Sequence, residues 1–162
     1  MLGSGNALSV MGNHEYNALA YHTQDPANSN QWLRPRHNKN TFQHLAFLNE
    51  FLHDEKKLQS TLDWFKTLPL WLDLGELRVI HACWHSASQD ILAPLMGSNN
   101  TLSEQLLINS SQRGTRDYRA LETLLKGWEL DFPGDLYFED KDGHRRTHFR
   151  AKWWISGTAP YN

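Results

Sequence analysis

Four adjacent residues, Gly12-Asn13-His14-Glu15, carry the side chains best suited to chemistry, and they follow a short apolar run, Ala7 to Met11. The run has the composition of a buried strand, and Gly12 ends it. A strand end that leads into a helix is a common place for an α/β active site. Gly12 allows a tight turn and close approach of the backbone to a ligand. Asn13 offers a neutral carbonyl oxygen, a hard ligand for Mn, Mg or Fe. His14 can donate a proton or bind a metal. Glu15 is placed to anchor its neighbours. The same four residues also fit a plain turn and helix start, with Asn as the cap. A second apolar run, Leu77 to Ile80, ends in His81. A histidine at a buried strand end is either a ligand or a hydrogen-bonded core residue. Two strand ends offering Asn-His and His favour a metal, because metal sites gather ligands from several strand ends.

The elements that must hold these residues are legible in outline. Glu15 to Tyr21 has helical composition. Asp25 to Asn40 is polar, with Pro26 and Pro35, and reads as a loop. Thr41 to His53 has helical periodicity with Thr41 as its cap, and Gln59 to Thr67 forms another helix. Leu70 to Leu74 and Leu77 to Ala82 flank Gly75-Glu76 as a hairpin. Leu102 to Asn109 and Tyr118 to Lys126 are helical, the second closed by Gly127. In the span from Leu136 to Trp154, Asp142-Gly143 marks a second hairpin. The order predicts an α/β or α+β fold.

Composition sets limits. The 162 residues suffice for one domain with a core; 40% are apolar and 21% charged, as in globular proteins. A net charge of −2 gives no global pull toward nucleic acid or anionic membrane. No apolar run is long enough to span a membrane, and the N-terminus does not read as a signal peptide. Cys83 is the only cysteine, which excludes an internal disulfide and suits a reducing, cytoplasmic setting. Nine histidines are many for this length. His22, His37, His44, His53 and His85 read as surface or capping residues, with His85, a loop histidine four residues after His81, the most interesting. "HEYNA" lacks the second histidine of a zincin motif. The basic stretch Arg145, Arg146, Arg150 and Lys152 alternates with Phe149, Trp153 and Trp154. That mixture suits single-stranded nucleic acid, a lid over a phosphorylated substrate, or an ordinary half-buried hairpin.

The strings "VMGNHEYNALAYH", "LPLWLDL" and "LRVIHACW" together resemble the calcineurin-like metallophosphoesterases, in the bacterial branch of serine/threonine phosphatases and diadenosine tetraphosphatases. The later "ALETLLKGWELDFPG" and "YFEDKDGHRRTHFRAKWW" resemble an insertion of a bacterial subgroup, about residues 98–154. The resemblance implies a layered α/β/β/α sandwich and hydrolysis of a phosphomonoester, phosphoprotein or nucleotide polyphosphate. It implies two divalent metals, Mn or Fe, holding a hydroxide that attacks phosphorus in line. Asn13 and His81 would be ligands of the second metal. His14 would protonate the leaving oxygen or stabilise the phosphate, with Glu15 and Gly12 supporting them from behind. Arg145, Arg146 and Arg150 would be candidate substrate or lid residues. The family's GDxHG and GDxxDRG motifs do not occur in the sequence, nor does its closing Gly-His pattern. The resemblance therefore implies that residues 1–162 form a single incomplete catalytic domain, with Met1 internal to the parent chain and weak metal binding by this chain alone. The contrasting expectation is a non-catalytic module that binds nucleic acid or protein through the basic hairpin.

Overall fold

A computed structural model describes residues 7–141 and 143–155. The chain is mixed α/β, with helices packed around one core and small antiparallel ribbons at its margins. The helices are α1 (Asn13–His22), α2 (Asn38–Gln43), α3 (Leu45–Glu50), α4 (Glu55–Lys66), α5 (Ser86–Leu92), α6 (Glu104–Ser111) and α7 (Arg116–Lys126). The strands are β1 (Gln24–Asp25), β2 (Asn28–Trp32), β3 (Trp71–Asp73), β4 (Arg78–Ile80), β5 (Glu129–Asp131), β6 (Phe138–Glu139), β7 (Arg145–Arg146) and β8 (His148–Arg150). They pair antiparallel as β1 with β2, β3 with β4, β5 with β8 and β6 with β7. Among the described residues no helix is long and apolar enough to cross a membrane.

The most regular element is α7, and its sequence explains it. Ala120, Leu121, Leu124 and Leu125 fall on one face and are all buried. The Thr115 hydroxyl accepts a bond of 3.1 Å from the Tyr118 N–H and caps the helix. Gly127 stops it at φ 103°, a conformation open to glycine, with the Arg150 side chain lying against its Cα. The leucine face packs on α5 and α6. Leu106 and Leu124 share a continuous core with Met11, Leu19, Leu70 and Leu92. Residues within the stretch 98–154 thus build the same core as the first helix.

Against that core, α1 is buried almost all round, through Tyr16, Ala18, Leu19, Ala20 and Tyr21. The Tyr16 hydroxyl lies 3.0 Å from Ser110 Oγ and 3.3 Å from Ser111 Oγ. Both serine hydroxyls donate to carbonyls of α6, Ser110 to Leu106 and Ser111 to Leu107. The Tyr16 O–H is therefore the donor that joins α1 to α6.

Several expectations change. Among the described residues the run Ala7 to Met11 pairs with no strand. Among the described residues its backbone link is the bond of 2.8 Å from the Met11 N–H to the Pro69 carbonyl. The loop expected over 25–40 contains the β1–β2 hairpin, whose strand β2 is mostly exposed and so lacks the apolar alternation that marks a strand. The single helix expected from Thr41 to His53 is two, α2 and α3, broken at His44. His37, not Thr41, caps α2, while the Thr41 hydroxyl is joined to the Tyr21 hydroxyl at 3.1 Å. The break follows from burying the His44 ring, which stacks on Phe47 at 4.6 Å between centroids. Helix α5 and strand β5 were not anticipated. The β3–β4 hairpin stands where expected, with Gly75 at φ 84°. The second hairpin also forms, as β6–β7; Asp142 of its turn lies outside the described residues.

The α7 face supplies a direct test of the core. Leu124 is fully buried, so Leu124→Ala should lower stability by about 2–5 kcal/mol, read from the urea midpoint. A loss under about 0.5 kcal/mol would contradict this packing.

Candidate functional site

Residues 12–15 are placed by two helix-start bonds. Gly12 is the residue before α1, and its N–H donates to Glu15 Oε2 at 2.9 Å. This is half of a capping box, and it puts a carboxylate at the positive end of the helix. Asn13 is the first residue inside α1, so its side chain is not spent on capping. Instead Asn13 Oδ1 lies 3.0 Å from His81 Nε2. The oxygen is the acceptor, so the imidazole proton sits on Nε2 in this contact.

His81 reaches Asn13 because of the hairpin register. Trp71 pairs with Ile80, Leu72 with Val79 and Asp73 with Arg78. Asp73 secures the turn, accepting from the Gly75 N–H at 3.1 Å and from Arg78 Nε at 3.2 Å. His81 follows directly. Gly12 is needed here for space. Its φ is −101°, open to any residue, but a Cβ would stand 2.7 Å from Glu15 Oε2 and 3.0 Å from the His81 ring.

The Asn13–His81 contact fits a pair of ligands. Neighbouring donors on an octahedral ion with bonds near 2.1 Å lie about 3.0 Å apart. An imidazole nitrogen and an amide oxygen suit Mn or Fe, and the ion would replace the Nε2 proton. The set is small. Among the described residues no three His, Cys, Asp or Glu side chains gather into a metal-binding group.

His14 is exposed and opens with Asn13 into a cleft of about 360 Å³ lined also by Asn17, Arg34, Gln43 and Lys126. Arg34 was not singled out from the sequence, where Asp25 to Asn40 reads as a polar loop. Its Nη1 donates to Asn17 Oδ1 at 2.9 Å and its Nη2 to Gln43 Oε1 at 3.0 Å. Partial burial pulls the guanidinium below its ordinary pKa, yet it stays charged near neutral pH. The usable signal was Asn17, one helical turn after Asn13 on the same face of α1.

The remaining histidines divide. His37 caps α2, and His85 caps α5, its Nδ1 lying 2.8 Å from Ser88 Oγ. His44 is corrected: it is buried, not a surface or capping side chain. His22 packs beside it, with centroids 5.6 Å apart, and the Nε2 atoms of both are buried without a hydrogen-bond partner among the described residues. Burial, then the neighbouring His22, Arg34, His14 and Arg36, push the His44 pKa down to about 4. Burial also lowers His22 and raises the Cys83 thiol, so Cys83 is a core group rather than a nucleophile.

The hairpin arginines are held by local partners. Arg145 lies over the Tyr137 ring at 4.0 Å, Arg146 pairs with Asp140 at 2.6 Å, and Arg150 approaches Glu129 at 3.8 Å. The chain after β8 reaches the site region through Trp153 Nε1, which donates to the Ala82 carbonyl at 2.8 Å.

Two outcomes follow. Gly12→Ala should displace the His81 ring and cost about 1 kcal/mol or more, seen as a lower melting temperature and a changed His81 ring 15N shift. Unaltered values for both would contradict the close packing. For His44 the folded pKa is depressed from 6.5 to about 4, so the neutral ring stabilises the fold above the unfolded value. That contribution fades as pH falls from about 6.5 toward about 4. The urea midpoint should drop between pH 7 and pH 5, and His44→Phe should reduce the drop. An equal drop in the variant would reject His44 as the cause.

No protein-family model, curated protein or solved structure matches this chain, so its chemistry rests on the geometry of these residues.

Proposed function

We propose that the chain is part of a metal-dependent phosphoesterase of the calcineurin-like class, whose whole domain has the layered α/β/β/α sandwich. The observation that carries this reading is the 3.0 Å contact between Asn13 and His81, two donors far apart in sequence. They would hold one divalent cation, Mn or Fe, with further ligands from the parent's GDxHG and GDxxDRG segments. When bound, the metal pair would supply Lewis acidity and lower the pKa of water. His14, one residue beyond Asn13 and open to the cleft, donates a proton to the oxygen that leaves phosphorus as water attacks. Glu15 holds the Gly12 N–H and fixes the start of α1, which sets where Asn13 and His14 stand. Ligands are phosphorylated small molecules, nucleotides or phosphoproteins. The hairpin arginines, engaged with Tyr137, Asp140 and Glu129, favour a structural ribbon over a nucleic-acid surface.

Residues 1–162 alone, with Mn²⁺ and a chromogenic phosphomonoester, should show no turnover above a His14→Ala control. A chain extended upstream through both missing motifs should turn over, lose activity in EDTA, and lose about 10²–10⁴-fold with His14→Ala. An extended chain that is inactive with Mn²⁺ or Fe²⁺, or is indifferent to His14→Ala, would reject the reading.

A further inference from the structure

The cleft beside His14 carries a positive charge that the scissile phosphoryl group alone does not explain. The Arg34 fork is held on both arms by neutral amide oxygens, Asn17 Oδ1 and Gln43 Oε1. Among the described residues Arg34 makes no ion pair, and none of the residues lining this cleft is a carboxylate. Glu122, the carboxylate whose field reaches Arg34, is itself bound by Lys126 Nζ at 2.6 Å and faces the Tyr118 hydroxyl at 3.4 Å. A guanidinium placed by amides keeps its full charge for a ligand, and its planar fork matches an oxyanion.

Position gives the second half of the argument. Asn13 and Asn17 lie one turn apart on α1, a rise of about 6 Å. Arg34 is tied to Asn17, so its charge stands a helical turn from the place where Asn13 and His14 would meet the reacting phosphorus. A second depression shares Asn17, Arg34, Asn40 and Lys126 with the first and continues to Arg113, Tyr118 and Glu122, whose carboxylate is held by Lys126. Arg34 therefore lines both hollows.

We propose that Arg34 is a specificity-determining residue that binds a second phosphate of the ligand, one helical turn from the phosphate presented to His14. The identity of the reacting phosphate rests on the phosphoesterase reading; anion binding at Arg34 does not. The second phosphate comes either from a phosphate chain or from a separate ester on one small molecule. A ligand with a single phosphate leaves Arg34 unmatched.

Calorimetry in EDTA on residues 1–162 tests this without turnover, using inorganic triphosphate, a hexose 1,6-bisphosphate and orthophosphate. At least one of the first two should bind about tenfold or more tightly than orthophosphate. Triphosphate alone would identify a phosphate chain, and the hexose bisphosphate alone a separate ester. Tight binding of both would show that Arg34 accepts either. Gln43→Glu replaces an amide oxygen on the fork by a carboxylate and neutralises Arg34 in place, with thermal unfolding as the check on folding. It should remove the preference, lowering the tighter binding about tenfold more than that of orthophosphate. Arg34→Gln should act the same way. Equal binding of all three anions, no binding of any, or an unchanged preference in a folded Gln43→Glu variant would overturn the proposal. Hydrolysis by the upstream-extended, metal-loaded enzyme separates the two ideas. Preference without hydrolysis rejects the phosphoesterase reading alone, whereas hydrolysis without preference rejects only the role of Arg34.

Discussion

The bond from the Met11 N–H to the Pro69 carbonyl ties together the parts that make the site. Leu70 follows Pro69, is fully buried, and its N–H donates to the Asn100 carbonyl. The chain at 69–70 is thus held on one side by the segment before α1 and on the other by the segment before α6. Strand β3 starts one residue later, and its register with β4 fixes His81. Met11 is fully buried, so breaking this bond would leave its N–H unsatisfied in an apolar setting. The position of His81 relative to Asn13 is in this sense a consequence of where Met11 is anchored.

The same economy appears around α1. One side of the helix meets α6 through Tyr16 and the two serines, and the Arg34 backbone N–H donates to the Ala20 carbonyl at 2.9 Å near its end. The Arg34 side chain then bridges α1 and α2 through Asn17 and Gln43. Arg36 repeats the pattern lower down, with its Nε donating to the Tyr21 carbonyl and its guanidinium 3.3 Å from the Trp32 ring centroid. Pro35 separates the two arginines, and its carbonyl accepts from Asn40 Nδ2 at 2.8 Å. A stretch that looks like a polar loop is in fact a set of side chains aimed back at α1.

What the sequence revealed depended on where the information lies. Helix α7 was legible because periodicity, cap and stop coincide in Thr115, the Leu face and Gly127. The β3–β4 hairpin was legible because Gly75 separates two apolar runs. By contrast, β2 hides its identity, since a mostly exposed strand has no alternation to read. The break at His44 was invisible for the opposite reason. Phe42, Leu45 and Leu48 continue a helical spacing straight through it, while the deciding fact is a tertiary one, the burial of an imidazole among Tyr21, His22 and Phe47. Arg34 was missed because its neutral partners, Asn17 and Gln43, lie on two different helices and carry no charge pattern.

The Gly-Asn-His-Glu string, taken as four separate physical demands, becomes more specific than its composition suggests. A turn alone would not require Gly12, because its backbone lies in the ordinary extended region at φ −101°. The requirement comes from the Glu15 carboxylate and the His81 ring, both of which occupy the volume a methyl group would take. Glu15 can sit there only because the Gly12 N–H rewards it with a bond. Asn13 needs a side-chain oxygen directed away from its own helix, which its place just inside α1 permits. His14, next along the helix, points in another direction from Asn13; both line the cleft, and Asn13 also meets His81. Under the proposed reading the spacing would divide one turn of helix between holding a cation and proton transfer, and the close packing of Glu15 and His81 on Gly12 ties both to a glycine before the helix.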